Sequence, residues 1–133
     1  MNVSSWNVAE TVGKWEAGPI EYGSRDCGQF AAFVVQELTG EDYMQGIQYS
    51  SEGDADDLID RFGGLCGVVA HQMRRPAVEP NELRPGAVVV WRIRSMTGLG
   101  ICLRPYGTSC AAIREDGAVL ELDSKFIQYG WNL

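Results

Sequence analysis

The sequence is poor in histidine, and its few cysteines are widely spaced. Its only histidine is His71, and its four cysteines are Cys27, Cys66, Cys102 and Cys110, with no Cys-x-x-Cys pair among them. Structural zinc sites use Cys or His ligands paired at short spacing. The sequence therefore predicts neither a metal site nor any other cofactor.

Basic residues are also scarce. The 133 residues include 11 Lys and Arg against 18 Asp and Glu, which gives a net charge of −7. A protein that binds nucleic acid nonspecifically needs a basic stripe that displaces counterions from the phosphates. We therefore expect no nucleic-acid partner.

The acidic run at residues 52–57 lacks the ligand spacing of an EF-hand calcium loop, and it is typical of a solvated helix start.

Long hydrophobic runs are missing as well. No segment approaches the ~18 apolar residues that a membrane helix needs, so we expect no membrane insertion. Residues 1–10 lack the basic region and apolar run of a secretory signal peptide. Without such a signal, free buried thiols are the default for the four cysteines. The length and the 45% hydrophobic content suit a single domain, residues 1–133, with one core.

The hydrophobic periodicity changes halfway along the chain. The first half is helical in pattern and the second half is strand-like, which predicts an α+β fold with an antiparallel sheet of four or five strands. Helices are predicted from Ser4 or Ser5 to Gly18, from Cys27 to Leu38, from Asp54 to Phe62 and from Leu65 to Met73. Strands are predicted at residues 87–91, 99–103, 109–113 and 118–122, with a last one near residues 129–131. Thr97 and Gly98 are predicted to form the turn into the second strand, and Asp116-Gly117 is predicted to be a hairpin turn.

One cysteine is predicted to lie at a helix start. Asp26 is the predicted N-cap, with Gln29 three residues later as in a capping box. Cys27 is then the first helical residue, where unpaired N–H groups and the helix dipole favour an anion. A thiol at such a position tends to have a lowered pKa, and the same N–H groups can stabilise an oxyanion. Cys27 is therefore a candidate nucleophile, and the alternative is a small buried residue of the apolar stripe.

Several segments resemble one protein family. Residues 22–30, YGSRDCGQF, resemble the nucleophile segment of the NlpC-type, papain-like cell-wall peptidases, where an aromatic-glycine turn leads into Asp-Cys-Ser-Gly and a helix. Residues 85–91, PGAVVVW, resemble the family's Pro-Gly-Asp strand, and residues 98–103, GLGICL, resemble its His-Val-Gly-Ile strand. The chain is most similar to the short members encoded among bacteriophage tail genes. The resemblance implies a papain-like fold, with a helical N-terminal half packed on the sheet.

The sequence departs from this family at the catalytic positions. Gly28 replaces the serine after the nucleophile, Ala87 replaces the aspartate of Pro-Gly-Asp, and Gly98 aligns with the general-base histidine. A base must take the thiol proton or pair with the thiolate. His71 is the remaining candidate base, and its alternative interpretation is an ordinary residue near a helix C-terminus.

The resemblance implies a component of a phage tail tip or baseplate that has lost catalysis. Such a protein is made in the host cytoplasm, resides in the virion and has other tail proteins as partners. The alternative is an active cysteine peptidase or amidase that cleaves peptidoglycan stem peptides during genome entry, with Cys27 as nucleophile. A third possibility is an unrelated small binding domain. Trp6 and Trp131 lie near the ends of the chain and suit a protein interface if they are exposed.

Overall fold

The computed structural model describes residues 3–133, in which four α-helices precede a five-stranded antiparallel sheet. The helices are α1 (Ser5–Val12), α2 (Cys27–Thr39), α3 (Glu52–Arg61) and α4 (Leu65–Met73). The strands are β1 (Val88–Ile93), β2 (Met96–Cys102), β3 (Ser109–Ile113), β4 (Val119–Asp123) and β5 (Ile127–Trp131). They are ordered β4-β3-β2-β1-β5 across the sheet. The predicted α+β class and the antiparallel sheet are confirmed.

The two faces of the sheet carry separate apolar clusters, as expected when side chains alternate along each strand. One face packs against the helices, and Leu99 and Ile101 of β2 belong to it together with Phe30 and Val34 of α2. The other face carries a second cluster, which includes Val89 of β1, with Trp91 packed against it. Strand register assigns each residue of β2 to one of these two faces.

The helix starts follow their caps. The Ser4 side chain accepts a hydrogen bond from the Asn7 N–H at the start of α1, and Ser51 does the same for Asp54 in α3. The prediction that the first helix continues to Gly18 is wrong, because α1 ends at Val12. The spacing that suggested a longer helix has another cause, since Trp15 packs from the following loop against Phe30, at a centroid distance of 5.5 Å. Tertiary packing here continues the apolar pattern after the helix has ended.

The turn between β1 and β2 also differs from the prediction. Thr97 and Gly98 lie inside β2, where Gly98 pairs with Trp91 of β1. The chain instead reverses near Arg94, whose φ of 57° is left-handed. The Asp116-Gly117 hairpin turn is confirmed, since Gly117 has a φ of 83° and its N–H donates to the Arg114 carbonyl.

The two terminal tryptophans have opposite environments. Trp6 is 76% exposed, whereas Trp131 is completely buried in the core. Only Trp6 therefore meets the condition for an interface residue. Within residues 3–133, none of the helices is long and apolar enough to cross a bilayer.

Candidate functional site

The start of α2 is organised by one buried carboxylate. Asp26 is the N-cap and is only 4% exposed. Its Oδ1 accepts hydrogen bonds from the Gln29 N–H and the Tyr49 hydroxyl, and its Oδ2 accepts one from the Gly23 N–H, each at 2.8 Å. These bonds join the helix to the loop before it and to the loop that carries Tyr49. The predicted cap is confirmed, and it fixes the residue after it, Cys27, at the first position of the helix.

The loop that leads to Cys27 is also anchored from the sheet. The Ile20 N–H donates to the Glu115 carbonyl in the β3–β4 turn, at 3.2 Å. Gly117 of the same turn packs so closely on the backbone of Gly18 that a β-carbon at residue 117 would collide with it. Within the loop, the Arg25 guanidinium pairs with Glu21 at 3.5 Å. The hairpin turn at the far end of the chain therefore helps to position the segment before the cysteine.

The Cys27 thiol lies in an environment that favours its neutral form. Burial raises the pKa of Cys27, and the negative charge of Asp26 raises it further. The backbone N–H groups of Leu99, Gly28 and Cys27 itself lower it, but they do not reverse the shift. The expected lowering of the pKa at the helix start is therefore wrong. Desolvation disfavours the thiolate more strongly than the helix terminus favours it.

The residue of β2 that shares the cavity with Cys27 is Leu99. A side chain at residue 98 would point to the opposite face, where its β-carbon would collide with Cζ2 of the Trp91 indole. The Trp91 Nε1–H reaches across the strand and donates to the Leu99 carbonyl at 3.1 Å. A histidine at position 98 would therefore point away from Cys27. The expectation that residue 98 occupies the position of the family's general base is thus wrong, because this residue lies on the other face of the sheet.

His71 lies elsewhere, on α4. Its side chain is exposed, its ring packs on Phe62 at a centroid distance of 4.8 Å, and its Nδ1 is 3.0 Å from Gln72 Oε1. It does not line the cavity that contains Cys27, and it is not among the groups that shift the pKa of Cys27. The structure thus does not bring the two predicted site residues together.

Beside Cys27 lies a cavity of about 150 Å³ that is almost entirely apolar. It is partly open to solvent and is lined by α2, α3, α4, the loop that carries Tyr43 to Tyr49, and residues of β1 and β2. Its lining includes Ala32, Val35, Ile47, Ile59, Val68 and Met73. Sequence reasoning missed this cavity. The only local signal is the run of small residues at Gly28, Ala31 and Ala32, which leaves room beside the buried stripe of α2.

Comparison with known proteins identifies a family whose function is unknown. No curated protein matches the chain. Residues 1–132 match a family described as a domain of unknown function, DUF6950. Because this match spans nearly the whole sequence, the chain belongs to the DUF6950 family.

Proposed function

We propose that the chain is a papain-like domain of the NlpC type that has lost catalysis and serves as a structural or docking module in a bacteriophage tail. The observation that supports the loss of catalysis is that Leu99 is the residue of β2 that lines the cavity together with Cys27. A thiol at the start of a helix packed on a strand is the placement the family uses for its nucleophile. Here, the strand presents an aliphatic side chain at the position where a base is needed.

The ionisation of Cys27 supports the same proposal. A cysteine nucleophile reacts as its thiolate, and enzymes lower the thiol pKa or place a base beside it. Burial raises the pKa of Cys27, so the thiol is protonated at neutral pH. The placement in a phage tail follows from the resemblance of residues 22–30 and 98–103 to the short tail-associated members.

The second candidate is a cysteine peptidase or amidase that acts on peptidoglycan stem peptides. It is favoured by one observation: the backbone N–H groups of Leu99, Gly28 and Cys27 act on the thiol and lower its pKa, against the effect of burial. Such a group of donors can stabilise the oxyanion of an attacked carbonyl. In this case the base comes from a partner chain, because His71 lies away from the thiol.

Incubation of the purified chain with peptidoglycan sacculi separates these two functions. We expect no release of soluble muropeptides above the level of Cys27→Ala, as measured by liquid chromatography and mass spectrometry. The assay is repeated with the proteins encoded by neighbouring genes added, so that a base from a partner is also tested. Release that requires the Cys27 sulfur under either condition would establish the peptidase and contradict the loss of catalysis.

The location in a tail is tested on phage particles. Particles from a strain that carries the gene are purified by density gradient and analysed by mass spectrometry. We expect peptides of the chain at a constant ratio to the tail proteins, and Cys27→Ala to leave both this ratio and the number of infectious particles unchanged. Particles that contain none of the chain would contradict the tail assignment.

A further inference from the structure

The cavity beside Cys27 has the size and lining of a ligand site. Protein interiors contain few voids larger than a water molecule, and an empty apolar cavity lowers stability because its walls lose packing contacts. The space of about 150 Å³ is lined mainly by aliphatic side chains of three helices. An apolar cavity of this volume in another protein stays dry and binds benzene. The space next to Cys27 therefore fits an apolar group about the size of one aromatic ring.

The rim of the cavity is acidic. Ala55 and Ile59 of α3 line the cavity, and Glu52 and Asp56 each lie three residues before one of them. Residues three apart are neighbours on a helix surface, so both exposed carboxylates border the lining residues of α3 without being part of the lining themselves. No Lys, Arg or His side chain lines the cavity within residues 3–133. The side of the opening next to α3 thus offers negative charge, whereas the positive charge of Arg75 acts on Tyr43, at another part of the lining, where it opposes the raised pKa of that hydroxyl.

Tyr22 lies at the opening of the cavity, close to Glu52 and Asp56. Its ring lines the cavity and is 37% exposed. Burial raises the pKa of its hydroxyl, and the charges of Glu52 and Asp56 raise it further. A cation near this hydroxyl would be attracted by both carboxylates and by the face of the ring. A carboxylate there would be repelled.

We propose that this cavity binds a small organic cation, in which an apolar group the size of one aromatic ring carries an ammonium group. The apolar group occupies the space beside Cys27 and Val35. The ammonium group lies at the rim, near Tyr22 and the two carboxylates of α3. This site goes beyond the structural role proposed above and does not depend on it.

Three probes of similar size and different charge test the proposal: benzylamine, benzyl alcohol and benzoate. Binding to the purified full-length chain is measured by calorimetry, and occupancy of the cavity by the rate at which iodoacetamide alkylates Cys27. We expect benzylamine to bind more tightly than benzyl alcohol by roughly two- to fivefold for each rim carboxylate, and benzoate to bind most weakly. Benzylamine should also slow the alkylation of Cys27. Equal affinity of the three probes would overturn the cation preference, and a failure to slow alkylation would overturn the location.

Matched variants locate the charge. Glu52→Gln with Asp56→Asn removes two charges from the rim, whereas Asp57→Asn with Glu10→Gln removes two exposed charges, one from another side of α3 and one from α1. We expect only the first pair to abolish the preference for benzylamine over benzyl alcohol. Loss of the preference in both pairs would show a general effect of net charge and would contradict the rim site.

A cavity-filling variant tests the apolar part. Ala32 lines the cavity, and Ala32→Leu places three further carbon atoms in it. We expect this variant to weaken benzylamine and benzyl alcohol alike, by at least tenfold, while its melting temperature stays the same or rises. Undiminished binding of both probes to Ala32→Leu would overturn the assignment to this cavity.

Discussion

The indole ring of Trp91 lies against Gly98, on the face of the sheet that points away from Cys27, and it leaves no room for a β-carbon at residue 98. The same ring donates a hydrogen bond from Nε1 to the carbonyl of Leu99. These two contacts agree with the strand register, in which Gly98 pairs with Trp91 and Leu99 belongs to the face that packs against the helices. Leu99, rather than residue 98, therefore shares the cavity with Cys27. Under the proposed papain-like fold, an aliphatic side chain then lies where a base would be needed.

The contact between Trp91 and Gly98 predicts that Gly98→Ala is destabilising. The added methyl group would push the indole off the strand and strain its bond to Leu99. We expect a loss of about 1–3 kcal/mol in the free energy of unfolding, the usual cost of overpacking. Urea denaturation followed by tryptophan fluorescence measures it.

A glycine with open surroundings provides the control for that substitution. Gly53 lies in α3, and a β-carbon there would meet only the Ser51 Oγ, at 3.9 Å. Gly53→Ala should be neutral or stabilising, because alanine favours a helix over glycine by about 0.5–1 kcal/mol. The proposed contact is absent if Gly98→Ala lowers the free energy of unfolding no more than Gly53→Ala does. It is also absent if Gly98→Ala causes the same loss in a Trp91→Leu background as in the wild-type protein.

The turn between β3 and β4 predicts a second difference between glycines. Gly117 and Gly46 have φ angles of 83° and 82°, so alanine strains the backbone at both. Only Gly117 packs against another backbone, that of Gly18, whereas Gly46 has open space around it. Gly117→Ala should therefore reduce the free energy of unfolding by about 1–3 kcal/mol more than Gly46→Ala does.

The location of this loss is as informative as its size. Gly18 belongs to the loop that leads to Cys27, so Gly117→Ala should also increase amide hydrogen exchange at Ile20, whose N–H bonds to Glu115. Gly46→Ala should leave that amide protected. Equal exchange at Ile20 in the two variants would show that the hairpin turn does not position the loop.

Local signals in the sequence predicted much of this architecture. The Asp26 cap predicted the start of α2 at Cys27. The glycines at 63–64 and the Arg-Arg-Pro sequence at 74–76 predicted α4 from Leu65 to Met73. The boundaries of β3, Ser109 to Ile113, were also predicted, because the Asp116-Gly117 hairpin signal follows this segment. Each of these features depends on residues that are close in sequence.

The features of the site that sequence reasoning missed depend on distant contacts. The face on which Gly98 lies follows from the turn at Arg94 and from the placement of Trp91, and neither has a local signal. The end of α1 was misplaced because Trp15 joins the core from a loop. The raised pKa of Cys27 follows from burial between α2 and the sheet, which opposes the local effect of the helix start.

The hydrogen bond from the Tyr49 hydroxyl to Asp26 predicts that Tyr49 contributes to the stability of the fold. Tyr49→Phe leaves the buried carboxylate with one donor fewer, and we expect a loss of about 1.5–3 kcal/mol in the free energy of unfolding. Tyr106 is 73% exposed, so Tyr106→Phe should change the free energy of unfolding by less than about 0.5 kcal/mol. Similar losses in urea denaturation of the two variants would argue that Tyr49 does not support the cap.

The pKa of Cys27 predicts how its reactivity depends on pH. Because burial raises the pKa, the thiol is protonated at pH 7, and its alkylation by iodoacetamide should accelerate with pH beyond the ordinary thiol pKa of about 8.5 without a plateau near neutrality. The same shift favours folding below that pKa, and this contribution is lost as pH rises towards the folded-state value. Peptide-resolved mass spectrometry separates Cys27 from Cys110, whose pKa burial raises to about 12. A plateau below pH 7 for Cys27 would indicate an activated thiolate and contradict this expectation.

Substitution at Leu99 offers the sharpest test of which residue faces the thiol. Leu99→His places an imidazole beside Cys27, where its cationic form would stabilise the thiolate. A decrease of one unit in the thiol pKa increases the thiolate fraction about tenfold, so alkylation of Cys27 at pH 7 should accelerate by about that factor. Leu99→Gln is the matched control, because it is also polar and similar in size but does not ionise, and both variants are checked for cooperative unfolding. Equal alkylation rates in the two variants would mean that residue 99 does not face the sulfur, and the account of the missing base would then be wrong.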